Sequence, residues 1–145
     1  MDLFNAMNTS SSGLSAERTR MNLIASNLAN ANTTRTPEGG PYKRKDAVFA
    51  ATPVIDGFGR ALAGAGSREL REVRVADIVE DQGQPRMQYD PSHPDANQQG
   101  YVAMPNVNVV EEMADMITAT RVYEANVMAA QAAKNMALKT LELSK

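Results

Sequence analysis

The chain has 145 residues, enough for one ordinary domain or one small module with elongated extensions, and too few for two large cores. Its formal charge of -2 removes any general electrostatic reason to bind phosphate backbones or anionic lipid, so neither nucleic acid nor a membrane surface is expected as a partner. Without cysteine there are no disulfides, no thiolate catalysis and no thiolate zinc sites.

The opening "MDLFNAMNTSSSG" has neither a basic n-region nor an unbroken apolar core, so no cleaved secretory signal is expected. No apolar run approaches the roughly 18 residues of a membrane span. Leu3, Met7, Ser10, Leu14, Glu17, Met21, Ile24, Leu28 and Ala31 follow alternating steps of four and three, a heptad-like seam that predicts a helix. Gly13 interrupts the pattern, so the stable helix is expected from about Ser12. Thr36-Pro37 and the glycines after it place its end by about Thr33.

Beside that seam runs a second stripe of Asn5, Asn8, Ser12, Ser15, Thr19, Asn22, Ser26 and Asn30, turned by about 100°. Residues 1–33 hold fourteen Asn, Ser and Thr against four charged residues, whereas a solvated helix face carries Lys, Glu and Arg. The imbalance favours a protein interface, in which buried amides find partners and set register.

Residues 34–107 hold the prolines and most of the glycines. Short strands are expected at 47–52, 70–79, 86–89 and 101–103, with a mobile loop near 56–68. Chemistry is sparse here. "YKRK" at 42–45 is one basic cluster in an acidic protein, and reads as a strand end or partner contact. "GFGRAL" from Gly57 lacks the third glycine of a dinucleotide loop. Glu80 with Asp81, and Glu111 with Glu112, are adjacent and diverge, unlike a catalytic dyad. "HPD" at 93–95 invites a J-domain reading but lies in a proline-broken stretch without a basic helix before it. One histidine supports neither a triad nor a metal set, and no cofactor is expected.

The last segment repeats the first pattern. Val109, Met113, Met116, Thr120, Tyr123, Val127, Ala130, Lys134, Ala137 and Leu141 form a seam, with Asn108 and Glu111 as a capping pair and acidic residues in the first turns. The fold class that follows is mainly α with a small β-rich middle: long N- and C-terminal helices pair as an antiparallel, coiled-coil-like hairpin, with irregular strands and loops between. Residues 1–33 and 106–145 form the helical part and 34–105 a small β-rich domain. A lone helical hairpin buries little, so other chains are expected to complete its core.

Two stretches carry a resemblance: "SGLSAERTRMNLIASNLANANTTRTPEGGPYKRK" at 12–45 and "HPDANQQGYVAMPNVNVVEEMADMITATRVYEANVMAAQAAKNMALKTLEL" at 93–143. Together they cover more than half of the chain, one at each end, and they resemble the flagellar axial (rod and hook) proteins of the basal-body rod family. The long "TRTPEGGPYKRK" form, in place of a short "TPGY" or "TPGF" turn, and the lack of a large inserted middle domain point to the proximal rod.

The resemblance implies a structural, non-enzymatic subunit. It implies helical assembly with copies of itself and with other rod and rod-junction proteins in the bacterial periplasm, after export through the flagellar type III apparatus without a cleaved signal. It also implies an inner domain of paired terminal helices lining the axial channel and a β-rich outer domain. By position, Asn27, Asn32, Pro37, Tyr42, Arg121, Glu124 and Asn126 join Leu14, Met21, Asn22, Ile24, Leu28, Asn30, Met113, Met116, Tyr123 and Val127 as subunit-interface and packing residues. Other readings are a neighbouring rod or rod-junction subunit, a J-domain-like cochaperone, and a stand-alone coiled-coil binding module.

Overall fold

The N-terminal helix forms, and Gly13 does not delay its start. The structure is a computed structural model describing residues 3–53 and 71–143, and it places α1 at Leu3–Ala29. A Cβ on Gly13 would lie 3.2 Å from the Asn126 side-chain nitrogen, so this glycine serves a close approach to the C-terminal helix, and α1 continues through it. The helix stops four residues short of Thr33. Its last turn tightens, with the N–H groups of Ala31 and Thr33 donating to the carbonyls of Leu28 and Asn30 at 3.3 and 3.0 Å.

The chain then reverses. Gly39 and Gly40 adopt φ of 91° and 79°, which residues with a Cβ avoid. Thr36 N–H donates to Gly40 O at 2.9 Å, and Tyr42 N–H returns to Thr33 O at 3.0 Å. From there β1 (Lys45–Pro53) pairs with β2 (Arg71–Glu80) in one two-stranded sheet. In a second sheet β3 (Arg86–Tyr89) runs antiparallel to β4 (Tyr101–Met104), with Tyr89 opposite Tyr101 and Arg86 opposite Met104. Each strand lies within two residues of its expected place. The expected loop near 56–68 lies outside the described residues.

The HPD tripeptide sits in the loop between β3 and β4, where Asp95 N–H donates to His93 Nδ1 at 3.1 Å. Strands flank it on both sides, which overturns a J-domain reading built on a loop between two helices.

The C-terminal helix, α2, spans Val109–Leu143. Asn108 caps it, its Oδ1 accepting Val110 N–H at 3.1 Å. Glu111, the expected second half of that cap, is exposed, and its neighbour Glu112 turns inward. The two terminal helices are in contact and antiparallel. Arg20 meets Asp115 and Asn27 meets Glu112, so later residues of α1 face earlier ones of α2.

The described residues group into two compact units, 3–19 with 48–53, 71–77 and 120–143, and 20–47 with 78–119. In the second, the buried apolar residues are Ile24, Ala31, Val102, Val107 and Ala119, and in the first Ala16 and Ala133. Alanine makes up the buried apolar set of the first and shares that of the second with Ile24, Val102 and Val107.

The α2 seam differs from the expected one. In the unit holding 109–119, Glu112 and Ala119 are buried and Met116 is half-buried, while Val109 and Met113 are exposed. In the unit holding 120–143, Ala133 is buried and Tyr123, Asn126, Val127, Ala130 and Ala137 are half-buried, while Lys134 is exposed. Alanine presents one methyl group and lets helix backbones approach, so the buried positions follow smallness and polar partners more than apolar volume.

Candidate assembly interface

Asn27 sits on the third-last residue of α1, one turn beyond Ile24, and is 1% exposed. A buried amide is costly unless each of its donors and acceptors is matched. Here all are. Nδ2 donates to Lys45 O at 2.9 Å and to Glu112 Oε2 at 3.1 Å, while Oδ1 accepts Lys45 N–H at 2.9 Å and the Tyr42 hydroxyl at 3.0 Å. The Tyr42 proton is thereby used, so the Tyr42 oxygen accepts from Ser26 Oγ at 3.3 Å. By holding both backbone groups of Lys45, the side chain of Asn27 acts as a strand partner for the first residue of β1.

Glu112 is likewise 1% exposed, and its second oxygen accepts Arg44 Nε at 2.6 Å. Arg44 also donates to Asp46 at 3.2 Å and stands 3.9 Å from Asp115, which is itself 3.9 Å from Arg20. Burial acts against the charge on Arg44. Hydrogen bonds and attraction from Glu112 and Asp46 outweigh it and hold the guanidinium above its ordinary pKa. The result is a polar lock joining α1, the segment 42–46 and α2.

Glu112 and Arg44 were not among the expected packing residues. A signal existed in the stepping of Glu112, Met116, Ala119 and Tyr123 along one helical stripe, and a carboxylate on such a stripe calls for a cation. Of the residues that were expected, Ile24 and Asn27 are buried. Leu14, Met21, Leu28, Asn30, Tyr42, Met116, Tyr123, Asn126 and Val127 are half-buried, and Asn22, Asn32, Pro37, Met113, Arg121 and Glu124 are exposed. The structure brings Asn27 and Tyr42 into direct contact.

The neutral stripe of α1 divides. Ser12, Thr19, Ser26 and Asn30 are half-buried, with Ser12 Oγ accepting Val73 N–H at 3.2 Å, whereas Asn8, Ser15 and Asn22 are exposed. On α2 the outward face of the 109–119 segment is apolar. Val110 is 76% exposed, Ile117 57% and Met113 55%, with Val109 beside them. In the other unit Met128, Met136, Leu138 and Leu141 are exposed. Contiguous exposed apolar side chains on a helix mark an interaction surface. Among the described residues, no cluster of His, Asp and Glu is placed to hold a metal ion, and no helix is long and apolar enough to cross a membrane.

The sequence matches the family model for flagella basal body rod protein over residues 7–35, and the model for the C-terminal region of flagellar basal body rod FlgEFG protein over residues 98–143. It is 43% identical to flagellar basal-body rod protein FlgC of Borreliella burgdorferi, over 94% of this chain and 93% of that one. It is 41% identical to the FlgC of Bacillus subtilis over the whole of both chains, and 41% identical to that of Escherichia coli O157:H7 over 99% and 98%. By this likeness over nearly its full length, the chain belongs to the flagellar basal-body rod protein FlgC family and is a structural, non-enzymatic rod subunit.

Proposed function

We propose that this chain builds the proximal rod, packing helically against copies of itself and against neighbouring rod and rod-junction proteins around the export channel. The paired terminal helices, 1–33 and 106–145, form the inner domain, and 34–105 the outer one. The chain reaches the periplasm through the flagellar type III apparatus without a cleaved signal. The carrying observation is the apolar face of α2 at Val110, Met113 and Ile117, which the subunit leaves in water. A helix that buries alanines and a glutamate while exposing these larger side chains is suited to neighbours that cover them. The exposed packing residues Asn22, Asn32, Pro37, Met113, Arg121 and Glu124 are read as contacts to other subunits, and the buried and half-buried ones as support within the subunit.

The test places Met113→Glu and Ile117→Lys, singly, in a strain lacking its own copy. Both residues are more than half exposed, so the purified variants should keep wild-type stability within about 0.5 kcal/mol by thermal denaturation. Swimming should be lost, with basal bodies stopping short of a complete rod. Normal swimming by both variants would refute the interface.

A further inference from the structure

The 109–119 segment of α2 offers two alternative seams that share Met116. One runs through Val109 and Met113, the other through Glu112 and Ala119. They differ by a rotation of the helix of about 60°. On apolar volume alone the first should be buried, since Val and Met gain more from leaving water than Ala, and Glu loses. The structure buries the second: Glu112 is 1% exposed and Ala119 fully buried, while Met113 is 55% exposed.

We infer that the Asn27–Glu112–Arg44 lock is a rotation selector, holding α2 in the orientation that turns Met113 and Val109 outward for assembly. Rotating Met113 inward would carry Glu112 away from Arg44 Nε and from Asn27 Nδ2, now 2.6 and 3.1 Å away. It would leave one N–H of the buried Asn27 amide and the Nε–H of Arg44 unmatched, although Lys45 and Asp46 still hold the rest of each group. Removing one member of such a set costs more than the set itself contributes, so polar contacts of this kind choose among packings that apolar contacts leave nearly equal. Asn27 supplies directional precision because all four of its hydrogen-bonding positions are filled. Arg44 supplies the countercharge, and is itself held by Asp46. The three residues are positioning residues: they bond to one another within the subunit, and so determine which face of α2 is presented to a partner. The link to assembly rests on the rod reading above; the rotation itself does not.

The native chain has no cysteine, so a single thiol reports the rotation. Met113→Cys and Ala119→Cys are made separately in the otherwise native full chain, and again together with Asn27→Ala, Arg44→Met and Glu112→Ala, which remove the lock without adding apolar volume to its seam. Alkylation is timed on the purified, dilute protein, with helicity checked by circular dichroism. With the lock present, the thiol at 113 should react fast and that at 119 slowly. With the lock replaced, the rate at 113 should fall at least about tenfold and the rate at 119 rise, as the population moves to the other seam. An unchanged rate at 113 in a folded lock-free chain overturns the inference. If the lock-free chain does not fold, Glu112→Gln, which keeps the volume and removes the charge, is read the same way: slower reaction at 113 supports the selector and an unchanged rate overturns it. Swimming is scored separately. A lock-free chain that rotates yet still swims upholds the selector and counts against the rod-interface reading.

Discussion

Asn27 has two donors and two acceptor positions, and four partners meet them, which is why an asparagine can occupy a core position that a heptad pattern would assign to leucine. Asn27→Asp is nearly isosteric, but it replaces both donors and sets a second carboxylate against Glu112. Its expected cost is about 3 kcal/mol at neutral pH, measured by chemical denaturation and reduced in acid as one carboxylate takes up a proton. Removing the cation by Arg44→Met leaves Glu112 buried without its charge partner and should cost about 3 kcal/mol. The pH dependence has a definite sign. The folded-state pKa of Arg44 is raised, so its contribution is complete at any pH below the ordinary arginine value and is lost only as pH rises through the higher folded value. The stability gap between wild type and Arg44→Met should therefore not narrow as pH is raised from about 7 to about 10.

At the scale of elements, the glycines in the turn and in the helix do different work. Gly40 has φ of 79° with open space around it, so Gly40→Ala is a test of backbone strain alone and should cost about 1 kcal/mol. Gly13 has ordinary helical φ but stands against Asn126, so the limit there is volume. Gly13→Leu should destabilise by about 2 kcal/mol through overpacking, read as a lower melting temperature with the helix content of the folded state retained. These elements were largely legible in the sequence. The Thr36–Pro41 punctuation marked the end of α1, and the alternation over 70–79 marked β2, because such signals act over a few residues. What the helical stepping misjudged was rotation. It ranked faces by apolar volume, while α2 is turned by partners 68 and 85 residues away in the chain, Arg44 and Asn27.

At the scale of the molecule, the subunit has thin cores and leaves large apolar side chains in water, which is the economy of a part whose packing is completed by neighbours. The isolated chain should sediment as a monomer or weak oligomer whose association grows with concentration, and Ile117→Lys should flatten that growth.

The sequence by itself determined the family, the two long helices, the four strands among the described residues of the middle and the turn that joins the first helix to them, because local propensity, periodicity and two extended motifs carry that information without reference to distant residues. It also marked the asparagines of α1 as hydrogen-bonding groups in need of partners. Only the tertiary structure decided which asparagine is the hub, that Glu112 and Arg44 complete it, and which side of α2 faces outward. Those outcomes depend on matching buried donors and acceptors across three segments, and that matching is a property of the packed chain.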